Sequence, residues 1–203
     1  MPKKKTYHHG DLKNALIKAG VEILAKDGVS GLSLRKVAAR AGVSHAAPYA
    51  HFADKQSLIA AISTEGFRQL YEQVSVVVDE YKTNPSRQLI EVAWAYVQFA
   101  LDDSDRFKVM FSGILEKEKD YPDFVAESHR SFQLVKTVVE ANQAAGALRS
   151  GPPDLVALSA WSMIHGFIML LLEGQISHTA LEQRDLRGLV EFQLEQIMIR
   201  NGG

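Results

Sequence analysis

The sequence predicts an all-α protein of about nine helices, and three observations carry that expectation. Apolar residues recur at helical spacing along most of the 203 residues, and no run alternates cleanly as a strand would. Gly and Pro punctuate the chain where such runs stop and start, at Asp27-Gly28, Gly42, Asn84-Pro85, Gly146 and Pro152-Pro153. Hydrophobic content of 46% and charged content of 23% suit one or two globular domains with a real core.

Taken in order, the first helix is expected over about Gly10–Lys26. Leu12, Leu16, Ala19, Ile23 and Leu24 form its apolar stripe, and Asp27-Gly28 ends it. A second runs Leu34–Ala41, with Ser33 as N-cap and Gly42 as terminator. A short third covers about His45–His51 behind Ser44, and a long fourth runs from about Asp54 to Lys82. Asn84-Pro85 caps and opens a helix to about Leu101, because proline suits the first helical position. A short helix follows Ser104; "EKEKDYPD" is a polar loop; a long helix then covers about Pro122–Ala145. Pro152-Pro153-Asp154 starts another, to about Glu173, and the last spans about Asp185–Arg200.

The chain has no cysteine, which excludes disulfides, zinc–thiolate sites and a cysteine nucleophile, and fits a reducing compartment. The basic start "MPKKKTYHHGDLKNAL" has no apolar stretch behind it of the kind a secretory signal needs, so a cytoplasmic protein is expected. The apolar run Leu155–Leu172, 18 residues long, sits at the lower limit for a membrane span. Ser159, Ser162, His165 and Gly166 in its middle, and the lack of flanking Lys/Arg or aromatic anchors, argue for a buried helix instead. Such a helix is expected to be covered by its own domain on one face and by a partner subunit on another.

The net charge of -1 conceals an asymmetry. Residues 1–60 carry ten Lys/Arg against four Asp/Glu, and the remainder carries thirteen against twenty. A basic first quarter on an acidic body points to a polyanion at one end. The stretch "SLRKVAARAGVSHAAPYAHFADK", Ser33 to Lys55, gives that end a form. Two short helices around "AGVS" fit a helix-turn-helix. Ala38 lets the helices approach, Gly42 permits the turn, and Val37, Ala41 and Val43 face the first helix. Ser33 and Ser44 at helix starts, with Tyr49, His51 and Lys55, suit phosphate contact, while Arg35, Lys36 and Arg40 stay solvated or meet phosphate.

These residues carry a resemblance. The stretch "ALIKAGVEILAKDGVSGLSLRKVAARAGVSHAAPYAHFADKQSLIAAI", with its "AGVS…Y.HF..K..L" spine, resembles the DNA-binding domain of the TetR/AcrR family of transcriptional regulators. The resemblance implies a DNA-binding domain over 1–53 and a helical regulatory and dimerisation domain over 54–203. It implies DNA contacts from Ser33, Arg35, Ser44, His45, Ala46, Ala47, Tyr49, His51 and Lys55. Tyr49, His51 and Lys55 would hold the backbone, His45–Ala47 would face base edges, and Phe52 would be core. Pro48 departs from the apolar residue usual there; it removes an N–H and biases Ala47 away from α geometry, so the recognition helix is expected to start late or as a 3₁₀ turn. The bare Ala46-Ala47 face offers only apolar contact, for instance to a thymine methyl, and Pro2–Lys5 reads either as an arm for a neighbouring groove or as a solubilising tail.

In the body, "AWSMIHGF" resembles the WHG subclass of TetR-like C-terminal domains through Trp161, His165 and Gly166, as do "YHHGDL" and "APYAHF" elsewhere. Trp161 and His165 are neighbours on one helix face, read either as the wall of a pocket or as a core pair. Gly166 is expected to admit a close helix. The candidate effector contacts are Trp94, Val97, Phe107, Met110, Phe111, Phe132, Trp161, His165 and Met169, with Phe99, Leu101 and Val135 beside them. With no basic cluster among them, they suit a small apolar or aromatic effector. The last helix places Leu186, Leu189, Val190, Gln193, Leu194, Ile197 and Met198 on one face. With Leu155–Leu172 it suggests a homodimer through the last two long helices, bound to a palindromic double-stranded operator and released by effector. A regulator of the same fold with no small-molecule effector remains open at this point.

An enzyme is not expected. The sequence holds no HExxH, GxSxG or Walker-type loop, and its histidines are scattered apart from His8-His9, a pair flanking the first helix. No catalytic residue, metal or cofactor is assigned.

Overall fold

The computed structural model describes residues 9–199, with side chains from Leu12 onward. The arm Pro2–Lys5, His8, the start of "YHHGDL" and Arg200 lie outside them. Among the described residues the protein is all-α: α1 (His9–Gly31), α2 (Leu34–Arg40), a 3₁₀ turn Ala47–Ala50, α3 (Lys55–Glu80), α4 (Pro85–Asp102), α5 (Ser104–Met110), a second 3₁₀ turn Glu118–Asp120, α6 (Pro122–Ala144), α7 (Pro153–Leu172), α8 (His178–Gln183) and α9 (Leu186–Glu195). The total of nine α-helices is reached differently from the sequence expectation. The segment after Ser44 is a 3₁₀ turn, and the exposed α8, with no apolar stripe to announce it, is an addition.

The residues divide into two compact units. One takes the chain up to Phe67 together with Asp105–Ala126; the other takes Arg68–Ser104 and everything from Glu127 on. Compactness therefore cuts inside α3, and brings 105–126 into the first unit, whereas the sequence suggested a division at 53/54.

In the first unit, α1 packs on α2 and α2 on the 3₁₀ turn. Leu16, Val37, Ala38, Leu58, Ile59 and Ile62 are fully enclosed. Gly20 makes the α1–α3 approach possible, since a Cβ there would lie 2.9 Å from Ile62 Cδ1. Gly28 interrupts α1 with φ 66 and ψ -172, so the regular helix ends where Asp27-Gly28 predicts, although a short continuation reaches Gly31. Ser33 caps α2 by accepting the Lys36 N–H at 3.2 Å. Gly42 takes φ 70 and releases the chain from α2. The start of α3 is closed reciprocally: Ser57 N–H donates to Asp54 Oδ1 at 2.7 Å, and Asp54 N–H to Ser57 Oγ at 3.0 Å.

In the second unit α4 is the axle. Leu89, Val92, Ala93, Ala95, Tyr96, Val97, Phe99 and Ala100 are buried, and the helix packs against both α7 and α9. Asn84 caps it by accepting the Arg87 N–H at 3.2 Å. Arg187 of α9 reaches across to Glu91 of α4 at 2.7 Å and also holds Glu191 at 3.1 Å. α9 is shorter than the apolar face suggested. It ends at Glu195, after which Met198 pairs with Leu148 in an isolated antiparallel bridge and Ile199 N–H donates to the Ala147 carbonyl at 2.8 Å. Ile197 and Met198 thus lie beyond the helix, because the backbone there finds partners in the loop after α6.

α7 is long and apolar enough to cross a membrane by length and composition, with a mean hydropathy of 2.0. Within the single chain one face of α7 is covered and another is open. Val156, Ala157, Ala160, Ile164, Phe167 and Ile168 are buried, while Leu155, Leu158 and Leu170 are 60%, 45% and 46% exposed. Nor does Gly166 admit a close helix here: a Cβ built on it meets nothing within 4 Å among the described residues.

Gly42 supplies a test of the turn. A Cβ at this position has open space around it, so its cost is purely that of the left-handed backbone. Gly42→Ala is expected to lower unfolding stability in urea by about 1–2 kcal/mol, and Gly42→Asn by less.

Candidate functional site

The first unit carries the segment expected to meet DNA. Its recognition element is a 3₁₀ turn because of Pro48. The N–H groups of Ala47, Tyr49 and His51 donate to the carbonyls of Ser44, Ala46 and Pro48 at 3.0, 3.2 and 2.9 Å, and Pro48 has no N–H to give. Pro48 itself is buried, so its ring fills the apolar position. The N-cap of the turn is Ala46, not the expected Ser44, whose carbonyl accepts the Ala47 N–H.

Arg35, Ser44, His45, Ala46 and Tyr49 are exposed, Tyr49 at 57%. Ser33, Ala47, His51 and Lys55 are half-buried. Ser33 is engaged as the α2 cap, and Lys55 Nζ donates to the Val29 carbonyl at 3.2 Å, tying α3 to the end of α1. His51 Nε2 is enclosed without a hydrogen-bond partner. Arg40 pairs with Glu22 at 2.6 Å on the surface, which restrains α2 against α1 by at most about 1 kcal/mol. The segment therefore offers a set of exposed groups on α2 and the turn, held in place by a half-buried set around it.

The residues expected to line an effector site separate between the units. Phe107, Met110 and Phe111 belong to the first. There Phe111 meets Phe67 edge-on at 5.3 Å and Phe107 at 4.8 Å, and Phe124 adds a further edge-on contact to Phe67 at 5.8 Å. Phe107 and Met110 are buried, and Met110 lies so close to Gly66 that a Cβ there would clash. These are core residues of that unit.

The second unit holds Trp94, Val97, Phe132, Trp161, His165 and Met169. Val97 is fully buried in α4; Trp94 lies under the Arg187 guanidinium at 5.9 Å. Trp161 and His165 sit on one face of α7, with ring centroids 5.6 Å apart, and Phe132 of α6 meets Trp161 edge-on at 6.2 Å. The residue that organises them was missed in the sequence. Tyr96 of α4 accepts the Trp161 indole N–H at 3.1 Å, and its hydroxyl lies 2.8 Å from His165 Nδ1. Within an apolar run Tyr96 reads as one more core aromatic; only its hydroxyl, which needs a partner once buried, hints at more. Burial pushes the Tyr96 phenol well above its ordinary value, against the bond from Trp161, so it stays protonated. Burial also pulls the His165 imidazole below its ordinary 6.5. The arrangement is a half-buried aromatic wall with one neutral hydrogen-bonding chain through it. Among the described residues no cluster of His, Cys, Asp and Glu has the makings of a metal site.

Residues 16–62 match the family described as bacterial regulatory proteins, tetR family, and residues 89–197 match the tetracyclin repressor-like C-terminal domain, which alone covers over half of the chain. The chain belongs to the TetR family of transcriptional regulators. It is thus a DNA-binding regulator with a helix-turn-helix, of a family that is not one of enzymes. A protein of unknown function from Rhodococcus sp. RHA1 has the same fold, with a TM-score of 0.77 and 30% identity over 97% of this chain and 100% of that one. A TetR-family regulatory protein from Rhodococcus RHA1 aligns with a TM-score of 0.74 at 22% identity, covering 92% of this chain and 96% of its own. The uncharacterised regulator YobS of Bacillus subtilis is 22% identical over 80% of each chain. The nicotine-responsive repressor HdnoR of Paenarthrobacter nicotinovorans is 32% identical over 42% of this chain and 45% of its own.

The depressed imidazole has a measurable consequence. In the unfolded chain His165 takes up a proton near 6.5; in the folded chain it resists until lower pH. Between those two values the unfolded state binds more protons, so this residue's contribution to stability is complete above about 6.5 and is lost as pH falls through the folded value. Urea unfolding of wild type and His165→Gln across pH 5–7.5 is expected to show the wild type losing more stability on acidification.

Proposed function

We propose that the protein is a homodimeric, cytoplasmic repressor of the TetR family that binds a palindromic operator and is released by a small apolar or aromatic effector. The observation that carries the reading is the coexistence of the exposed helix-turn-helix segment with an α7 that leaves Leu155, Leu158 and Leu170 uncovered. These leucines follow one stripe with Ser159, Ser162 and Gly166, which lets a second helix come close. Phe192 of α9 is 45% exposed as well. A second copy offering the same stripe covers all of these, and two-fold symmetry sets two recognition turns about 34–36 Å apart or somewhat more.

Arg35, Ser44, His45, Ala46 and Tyr49 then meet DNA directly, with Ser33, Ala47, His51 and Lys55 behind or beside them. The basic surplus of the first 60 residues supplies nonspecific affinity. The effector lies against Trp161, His165 and Phe132, the WHG-type part of the chain, with Met169 at its edge. By filling the seat, effector shifts the helices joined to α3 and alters the separation of the two recognition turns. Release follows only if effector prefers the altered state.

The test is a gel shift on the chain's own upstream intergenic DNA at two salt concentrations, beside a scrambled duplex. Sequence-selective, salt-sensitive binding is expected, and Arg35→Ala, which removes one cation from the phosphate backbone, is expected to reduce the salt slope by about 1. Equal, fully salt-labile binding to both duplexes removes that DNA as the operator. Operator affinity unmoved by every compound that binds the protein removes the effector mechanism. Independently, light scattering after size exclusion is expected to give a dimer, and Leu158→Glu with Phe192→Glu to shift it toward monomer and weaken operator binding.

A further inference from the structure

We propose that Tyr49 is a specificity-determining residue of the DNA interface: with Ala46 it forms an apolar notch on the recognition turn that takes the C5-methyl group of a thymine in the major groove. This rests on the reading that the recognition turn meets DNA directly. To the backbone contact that the resemblance implies for Tyr49 it adds a contact with a base.

The 3₁₀ geometry leads there. Three residues make one turn of such an element, so side chains three apart stand in line. Tyr49 N–H donates to the Ala46 carbonyl at 3.2 Å, which sets these two residues one such turn apart. Both are exposed, Tyr49 at 57%. Pro48, one step before Tyr49, is buried, and Ala47 on the neighbouring row is half-buried. Ala46 and Tyr49 are therefore a row of the turn that is exposed at both ends. In an α-helix the neighbour of Tyr49 would be His45, four residues back, and the row would carry an imidazole instead of a methyl. Pro48, by keeping the element 3₁₀, gives Tyr49 an apolar companion.

The chemistry of the row selects the base. Ala46 offers one methyl, and Tyr49 offers a ring whose hydroxyl lies at its far tip. Of the groups that base edges present in the major groove, the thymine methyl is the apolar one, and the others donate or accept hydrogen bonds. An amino group or a carbonyl pressed against the row would lose water without gaining a partner. A methyl there loses nothing and buries its surface between Ala46 and the ring. The hydroxyl stays able to reach a phosphate, so positioning and base readout fall on different parts of one side chain.

The test starts from duplexes selected out of a random-sequence library by the full-length chain. In the selected consensus each thymine is replaced in turn, in both half-sites, by deoxyuridine, which lacks only the methyl. One thymine position is expected to weaken binding by about fourfold per half-site, the value of one buried methyl. Tyr49→Ala is expected to abolish that preference for thymine over uracil. Tyr49→Phe, which keeps the ring and drops the hydroxyl, is expected to retain the preference while losing overall affinity. A consensus with no methyl-sensitive position overturns the notch and leaves sequence-selective binding in place. The notch also falls if Tyr49→Ala preserves the preference, or if Tyr49→Phe removes it, since the ring would then not be the reader. Selection that yields no consensus removes the operator reading, and the notch with it.

Discussion

The second unit depends on burying α4, and the hard part of that burial is one hydroxyl. Every other side chain on its most enclosed stretch, from Val92 to Ala100, is apolar apart from the exposed Gln98. Tyr96 brings a phenol into that surface, where an unpaired hydroxyl would cost about 1–3 kcal/mol. Trp161 and His165 of α7 meet that need, and the helical spacing of these two residues is what allows both to reach a single oxygen. The α4–α7 contact thus has a fixed register: sliding α7 by one residue would strand the hydroxyl and both its partners. At the other side of α4, Glu91 and Arg187 fix α9 by the same logic with charges.

The first unit solves a different problem, that of offering polar groups on a surface while keeping a small helical hairpin in place. Its solution is to make the supports apolar or local. Gly20 brings α1 to α3, Ala38 brings α2 inward, and Pro48 takes the buried place in the recognition turn. Ser33 and Asp54 close the starts of α2 and α3 within three residues of themselves. Arg35, His45 and Tyr49 are then left on the surface with nothing structural asked of them that would compete with phosphate or base. The shallow 3₁₀ turn follows from Pro48: the residue that anchors the element also denies it one α-helical bond.

Element existence was legible because it rests on local signals. Ser33, Gly42, Asn84-Pro85, Gly146 and Pro153 each act within a turn of themselves, and the helices they bound begin and end within a few residues of those signals. What sequence missed lay in contacts between distant parts of the chain. α9 stops at Glu195 because Met198 and Ile199 find partners near Leu148, a pairing across some fifty positions that no periodicity records. α8 shows no stripe because it buries almost nothing. Among the candidate effector residues, Trp161 and His165 were visible as a spaced pair. Tyr96 was not, because its role is defined by two residues more than sixty positions away.

α7 shows why hydropathy alone misjudges such a helix. Its composition fits a lipid span, and it fits equally a helix enclosed by protein. Composition measures how much apolar surface there is, whereas the structure adds direction. One face, Val156 to Ile168, is buried in its own unit; a flank carries Trp161 and His165 toward Tyr96; and a third stripe, Leu155 to Leu170 with Ser159, Ser162 and Gly166 between, is left open. Small residues set between leucines on the open stripe are not what lipid requires, since lipid conforms to any apolar relief. They are what a rigid neighbour requires, because only a packed partner distinguishes a glycine from a leucine.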